Sequence, residues 1–280
     1  MIAFAANSLL TRGALDRHLI DAPSFTLIRL IGGAVMLALL LAVRRAASFG
    51  PAEPDGPDRE RGSWSSALAL AGYAVAFTLA YVSIGAGVGA LLLFGAVQVT
   101  MIGTGIARGD RPLGRDWFGL ALAMAGIVWL TVPGASAPDF MGAALMLVAG
   151  ACWGVYSIAG RGSRDPLAAT TGNFWRASIL AIVALGVLAS RGGFTTRGAL
   201  FAVASGALAS GVGYTLWYSA LPALGAWRAS LVQLTVPILT GFAAVLLLGE
   251  AVSTRLVIAG VLVTTGVWIT LRGGKKGPRD

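Results

Sequence analysis

The sequence predicts an all-α integral membrane protein with ten transmembrane helices, arranged as two inverted five-helix repeats around a central cavity. Three observations lead to this fold class. The 280 residues are 56% hydrophobic and only 12% charged, whereas soluble domains carry about 25% charged residues. Apolar runs such as 24–43 and 200–221 are long enough for a hydrocarbon core, which takes about 20 helical residues to cross. The two halves of the chain also repeat each other's motifs.

Ten apolar runs, separated by polar or turn-forming segments, define the expected spans. In order, they are 1–15, 23–43, 64–84, 88–107, 114–132, 140–160, 167–190, 197–221, 225–248 and 255–271. The first span is short because Arg12 comes early, so it is either tilted or continued upstream of Met1. The proline-, glycine- and charge-rich segment 46–62 is the longest loop. The first repeat is 1–136, the second is 137–272, and 273–280 is a polar tail.

The distribution of basic residues predicts the orientation. Thirteen Lys and Arg residues fall on the side that holds both termini, five on the opposite side and three within spans. Because cytoplasmic loops are enriched in these residues, we expect a multi-pass protein of the cell's inner membrane with both termini cytoplasmic. The same bias accounts for the net charge of +9. The bilayer is therefore the expected partner of this charge, and nucleic acid is not.

Short motifs recur in the two halves of the chain. Gly109-Asp110 is followed sixteen residues later by Gly126, and Gly249-Glu250 is followed sixteen residues later by Gly266. Each half contains five expected spans, an odd number, so the second half enters the membrane from the opposite side. Inverted repeats of this kind are typical of secondary transporters.

Further residues complete this pattern: Arg29 and Arg176 in the second and seventh spans, and Gln233 to Pro237 leading to Leu248-Gly249-Glu250. With them, nearly the whole chain resembles the drug/metabolite transporter superfamily and its EamA-type ten-helix exporters. The first half departs from the family pattern, since no proline follows Gln98-Val99-Thr100. The resemblance implies export of amino acids or similar small metabolites through a cavity lined by the third, fourth, eighth and ninth helices. The aromatic lining is similar to that of YddG-type exporters of aromatic amino acids.

Aromatic residues at helical spacing are candidates for the substrate-binding surface. Tyr73, Phe77 and Tyr81 form one stripe. The hydroxyls of the two tyrosines need hydrogen-bond partners that hydrocarbon lacks. A water-filled cavity would supply those partners, although Phe77 fits simple packing equally well. The two rings of the sixth span either face the same space or pack on Gly150 and Gly154, a small-residue pair. The candidate ring residues are Phe77, Tyr81, Trp153, Tyr156, Tyr214 and Tyr218.

Four amide side chains within the spans are the polar candidates for substrate binding. Gln98 and Gln233 occupy matching positions in the two halves, and each amide offers both donors and an acceptor to a ligand. Hydrogen bonding between helices is the alternative role. Asn7 and Asn173 are candidates of the same kind.

Five residues are candidates for structural or gating roles. Pro237 is expected to break or kink the ninth helix, and Trp217 and Trp227 flank the second hairpin turn as gate or anchor. Arg29 and Arg176 lie within two to three turns of the expected interface. Snorkelling to the interface or capping of a helix end is therefore the expected role of both arginines, with capture of a substrate carboxylate as the alternative.

The positions of the ionisable residues limit the possible chemistry. All twelve acidic residues fall in loops, tails or span ends, whereas proton-driven pumps usually keep an ionisable group inside the bundle. This favours a facilitator over a proton-coupled exporter or a channel-like pore. His18 is the only histidine and no phosphate-binding Gly-Lys-Ser/Thr loop occurs. The sequence thus predicts neither an enzyme nor a metal site, with no cofactor and a small-molecule substrate, and a monomer is compatible with it.

Overall fold

The computed structural model describes residues 1–47, 61–107, 114–131, 137–160, 163, 165–217, 233 and 235–272. Within these ranges the chain is helical, apart from an isolated antiparallel bridge between Ile20 and Phe194. The helices are α1 (Ile2–Leu15), α2 (Ala22–Ala47), α3 (Trp64–Ala80), α4 (Ala86–Ala107), α5 (Gly114–Thr131), α6 (Phe140–Gly160), α7 (Pro166–Arg191), α8 (Thr196–Trp217), α9 (Thr235–Leu248) and α10 (Thr254–Arg272). Their order follows the ten apolar runs of the sequence.

Several helices have the length and composition of membrane spans. Among the described residues, α2, α6, α7 and α8 are long and apolar enough to cross a bilayer, and shorter apolar helices lie within α3, α4, α5, α9 and α10. Large apolar side chains project from the outer surface of the bundle, including Leu39, Val183 and Leu208. A hydrocarbon environment covers such side chains without cost, so the outer surface fits a lipid bilayer.

Side-chain caps explain where several helices begin. The Asp165 carboxylate accepts a hydrogen bond from the backbone N–H of Ala168 (3.1 Å), and Pro166 stands at the start of α7. Thr195 caps α8 in the same way, and Asp139 accepts from the N–H of Gly142 (2.7 Å) in the first turn of α6. Because each cap supplies a partner for a free N–H group, these polar residues fix the helix starts.

The packing of the helices brings the two halves of the chain into one bundle. Helix α2 packs against α7 and α8, α3 against α6 and α7, and α4 against α6 and α9. In addition, α5 packs against α10, and α1 lies against both α8 and α9. Aromatic residues of α1, α3, α6, α7 and α8 form the centre of the hydrophobic core.

Part of α8 is a π-helix, over Ala204–Val212. Its Gly206 lies directly against the backbone of Arg29 in α2, where a β-carbon would overlap the Arg29 carbonyl group. Gly33 of α2 similarly faces the ring of Phe174 in α7. Since π-helical turns often occur at functional positions, this close approach of α2 and α8 draws attention to the residues around Arg29.

Candidate functional site

Nine aromatic side chains at the centre of the bundle contact one another. Phe4 stands edge-on to Trp153, Tyr214 and Trp217, with ring centroids 5.8–5.9 Å apart. Trp153 also contacts Tyr73 at 5.1 Å and Tyr214 at 4.9 Å. We call this group the ring cluster, and its members are Phe4, Tyr73, Phe77, Tyr81, Trp153, Tyr156, Phe174, Tyr214 and Trp217.

The ring cluster brings together most of the aromatic residues singled out in the sequence. Phe77 and Tyr81 are in contact at 4.7 Å, and Trp153 and Tyr156 at 5.7 Å. Phe4 and Phe174 belong to the cluster but were not among the sequence candidates. A phenylalanine in an apolar span carries no distinguishing signal, because only the tertiary packing shows whether its ring faces the lipid or the core.

The rings fill the centre of the described part of the bundle. The cavity lined by Phe4, Asn7, Tyr73 and Trp153, among others, has a volume of about 10 Å³. A single water molecule needs about 10–15 Å³ of such space. This cavity among the rings is therefore too small to hold a substrate as it stands. Edge-to-face packing of the rings buries them against one another, and a substrate would have to displace them.

A chain of buried polar groups runs beside the rings. Ser205 of α8 donates a hydrogen bond to Oδ1 of Asn7 (2.5 Å), and Nδ2 of Asn7 donates to the Tyr73 hydroxyl (3.2 Å). Nη2 of Arg29 donates to the same hydroxyl (3.0 Å). All four side chains are buried. The chain joins α1, α2, α3 and α8, and it places the sequence candidate Asn7 against the ring cluster.

Arg29 does not have the position expected from the sequence. The residue is only 2% exposed, and its guanidinium carbon lies 4.8 Å from the Phe77 ring centroid and 5.2 Å from that of Tyr73. Snorkelling to the interface is therefore wrong for this residue. Counting helical turns predicts the position of Arg29 along α2 but not the direction of its side chain. The side chain points inward, where it contacts the Tyr73 hydroxyl and the faces of two aromatic rings.

Arg176, by contrast, lies within α7, and its side chain reaches the segment before α3. Its Nη1 donates to the carbonyl oxygens of Arg61 (2.7 Å) and Gly172 (3.1 Å). Asn173 is close by and accepts a hydrogen bond from the backbone N–H of Ser63 (2.8 Å). These two candidates hold the start of α3 against α7. The ring cluster does not include either of them.

Gln98 and Gln233 are both buried, at 2% and 3% exposure. Nε2 of Gln98 and Oε1 of Gln233 have no hydrogen-bond partner in the described structure. One residue thus offers an unused donor and the other an unused acceptor. Buried polar atoms are usually paired, so both amides are available to a ligand or to water.

Pro237 lies in α9. It lines an apolar groove of about 590 Å³ between α4, α9 and α10, away from the ring cluster. Of the tryptophans flanking the second hairpin, Trp217 is buried against Phe4. Trp227 and the candidate Tyr218 lie outside the described residues.

One end of the bundle, which we call the Glu250 end, is held by a charged cluster. The carboxylate of Glu250, after α9, accepts from the backbone N–H groups of Ala86 (2.7 Å) and Gly87 (3.4 Å), which begin α4. Arg12 of α1 lies 3.8 Å from Glu250, pairs with Asp16 at 2.7 Å and donates to the carbonyl of Tyr81. A carboxylate at a helix N-terminus is favourable because of the free N–H groups there.

The opposite end, which we call the Asp165 end, is held by an ion pair between Arg44 of α2 and Asp165 before α7. Partial burial works against the charge of Asp165. Hydrogen bonds from Arg44 and from the Ala168 N–H outweigh it, so the pKa of this carboxyl lies below its usual value. Polar contacts thus join helices at each end of the described bundle.

These features define a multi-pass helical membrane protein: the outer surface is apolar, several helices have membrane-spanning length, and hydrogen-bonded polar side chains are buried between the helices. Comparison with known proteins agrees with this class. The profile of the EamA-like transporter family matches residues 140–272. The chain is 51% identical over 273 residues to uncharacterized protein PA1977 of Pseudomonas aeruginosa PAO1, covering 97% of this chain and 91% of that protein.

A solved crystal structure also matches, with a TM-score of 0.65 over 98% of both chains. Its sequence identity is 18%, so this likeness concerns the fold. The chain belongs to the EamA-like transporter family, within the drug/metabolite transporter superfamily, as the sequence motifs indicated. This is a family of membrane transporters, which accounts for a buried site without catalytic groups in its described residues.

Proposed function

We propose that the protein exports amino acids, with aromatic ones among them, or similar small metabolites across the inner membrane by alternating access. The observation that carries this proposal is the ring cluster, flanked by buried polar groups in the middle of an otherwise apolar bundle. Aromatic faces suit an apolar side chain and an ammonium group. Amides, hydroxyls and the Arg29 guanidinium suit the polar end of an amino acid. The packed rings correspond to an occluded state.

We further propose that 1–136 and 137–272 are inverted repeats. The helix contacts support this, because exchanging each helix with its counterpart in the other half maps most of the main contacts of the described helices onto one another. The pairs α2–α7, α4–α9 and α5–α10 each join a helix to its own counterpart. The pair α3–α6 corresponds to α8–α1, α2–α8 to α7–α3, and α4–α6 to α9–α1. Transporters built in this way bind substrate between their halves near the bilayer midplane.

The two polar ends of the bundle provide the conformational change. Opening the Glu250 end separates Glu250 from the start of α4, and opening the Asp165 end breaks the Arg44–Asp165 pair. In both cases hydrogen bonds and ion pairs have to break. One end can open while the polar contacts at the other end keep it closed.

Substrate moves down its own gradient in this proposal. Asp16, Asp21, Asp139, Asp165 and Glu250 all stand at helix ends in the described structure. A proton-coupled exporter would use an acidic group at mid-depth, where burial tunes its pKa. The excess of basic residues on the side of both termini supports cytoplasmic termini.

Counterflow in proteoliposomes tests this function. Vesicles preloaded with unlabelled L-phenylalanine should accumulate labelled L-phenylalanine transiently, with saturation, and an imposed pH difference should not accelerate the exchange. A channel-like pore would give non-saturating flux without counterflow, and an enzyme would change the mass of the ligand. Absence of counterflow with phenylalanine, leucine and other neutral amino acids would refute the proposed substrate class. Strong acceleration by the proton gradient would refute the facilitative mechanism.

A further inference from the structure

Arg29 is a buried cation with unused hydrogen-bonding capacity. Nη2 donates to the Tyr73 hydroxyl, but Nη1 has no partner in the described structure although the residue is 2% exposed. The ion pairs among the described residues involve Arg12 and Arg44, and none involves Arg29. An uncompensated buried charge is costly. Ionisable groups inside membrane helices are accordingly most often functional.

The described helices do not supply a carboxylate at this depth. None of the twelve acidic residues lies in the interior of a described helix, and the segment 218–232 contains none. The aromatic faces of Phe77 and Tyr73 stabilise the guanidinium. They leave its second nitrogen without an acceptor. A bound anion could supply the acceptor that Nη1 lacks among the described residues.

We propose that Arg29 binds the carboxylate of the transported substrate, and that the substrate is a monocarboxylate with an apolar body. This inference rests on the proposed transport function and names the substrate class of the same site. The two terminal nitrogens of a guanidinium form a fork that matches a carboxylate. A single buried cation balances one negative charge, whereas a phosphate dianion would bring a second charge without a partner.

The surrounding groups complete the site. The Tyr73 hydroxyl now accepts from both Arg29 and Asn7. A bound carboxylate would replace the Tyr73 hydroxyl as the acceptor for both donors. The hydroxyl could donate its own hydrogen to that carboxylate. The apolar body of the substrate would enter the ring cluster beside Phe4 and Trp153, which line the existing small cavity. The occluded structure thus holds Tyr73 in the place of the ligand's polar end.

A ligand series tests this inference on the wild-type protein. Counterflow of labelled L-phenylalanine is competed with unlabelled L-phenylalanine, L-phenylalaninamide, L-phenylalaninol and 3-phenylpropionate. We expect the two acids to compete at least tenfold better than the amide and the alcohol, since only a carboxylate brings a negative charge to Arg29 and two oxygens that match its fork. Equal competition by the amide and the acid would overturn the inference while leaving the transport function intact. Absence of counterflow with every ligand would instead refute the proposed function.

Variants of Arg29 test whether this residue causes the preference for acids over the amide. Arg29→Met should reduce the preference for acid over amide to less than twofold, and Arg29→Lys, which keeps the charge but not the fork, should raise KM for phenylalanine about tenfold. Arg176→Lys, whose side chain lies against the segment before α3 and outside the ring cluster, is the matched control and should behave as wild type. Ligand-free Arg29→Met should melt no lower than wild type, because a cation without a counter-ion is removed.

An Arg29→Met protein that melts lower but keeps the acid preference would show that Arg29 is structural, and would overturn the inference. Gel filtration checks that each variant is folded. If Arg29→Met does not fold, the Arg29→Lys variant and the ligand series on wild-type protein still decide the question.

Discussion

Replacing Glu250 with glutamine removes one negative charge from the Glu250 end and leaves the side-chain shape nearly unchanged. Oε1 of Glu250 accepts from Ala86 N at 2.7 Å and lies 3.8 Å from Nε of Arg12. The glutamine oxygen can keep the bond to Ala86, but as a neutral bond. Because these contacts join the segment after α9 to the start of α4 and to α1, we expect the substitution to favour opening of this end.

The magnitude follows from the contacts. A hydrogen bond to a charged group contributes about 1.5–3 kcal/mol and a neutral one about 0.5–1.5 kcal/mol. The ion pair with Arg12 adds at most about 1 kcal/mol, because the Glu250 side chain is 22% exposed and the pair is screened. The closed arrangement of this end should lose about 1–2 kcal/mol, which corresponds to an increase of about 5–30-fold in the open population relative to the closed one.

Electron–electron distance measurements between spin labels report this change. Val82 and Val252 are exposed at this end and can carry the two labels after replacement by cysteine, in a protein whose single Cys152 is changed to alanine. The Glu250→Gln protein should show a larger fraction of long distances than the otherwise identical parent protein. Counterflow of the parent protein checks that labelling preserves function.

Asp165→Asn is the matched change at the opposite end. It removes the ion pair with Arg44 but keeps an oxygen that can cap α7. It should therefore favour opening of the Asp165 end and leave the Val82–Val252 distance short. If Glu250→Gln leaves the distance distribution unchanged, or if both substitutions lengthen it equally, the charged cluster does not control that end.

Three further predictions follow from the site and its supports. Tyr73→Phe removes the hydroxyl that accepts hydrogen bonds from Arg29 and Asn7. It should lower the free energy of unfolding by about 1–3 kcal/mol and raise KM in counterflow. If neither value changes, these buried hydrogen bonds do not support the site. Gly206→Ala places a β-carbon against the Arg29 carbonyl and should slow counterflow, whereas Gly260→Ala, with nothing within 4 Å, should not. The lowered pKa of Asp165 predicts that its ion pair stabilises the protein above about pH 4. The Tm difference between wild type and Asp165→Asn should therefore shrink as the pH falls below that value, and a pH-independent difference would argue against it.

The sequence was informative about helices because apolar runs and polar breaks are local features. The charged segment around 46–62 and the caps at Asp139, Asp165 and Thr195 mark boundaries without reference to the rest of the chain. The tyrosine and tryptophan candidates were found through their size and helical spacing. Helical spacing gives the face that residues share, and it does not tell whether that face meets lipid or another helix.

Tertiary packing decided what the sequence could not. The sequence predicts the position of Arg29 along α2. The orientation of α2 relative to α3 and α8 determines that its side chain reaches Tyr73, and that orientation is visible only in the structure. The packed state of the rings depends on six side-chain contacts around Phe4 and Trp153, five of which join different helices. Gly33 and Gly206 are the sequence features that could have indicated this packing, because helices approach closely only where their residues are small.

Accessibility of the central site from each side of the membrane tests alternating access most directly. Ser8 is buried and lines the small central cavity, so Ser8→Cys, in the protein with Cys152→Ala, reports on that cavity. A membrane-impermeant thiol reagent is applied to oriented vesicles from one side at a time. We predict reaction from either side, with Glu250→Gln and Asp165→Asn shifting the two rates in opposite directions. Reaction from neither side, or rates that both variants change in the same direction, would contradict alternating access through this site.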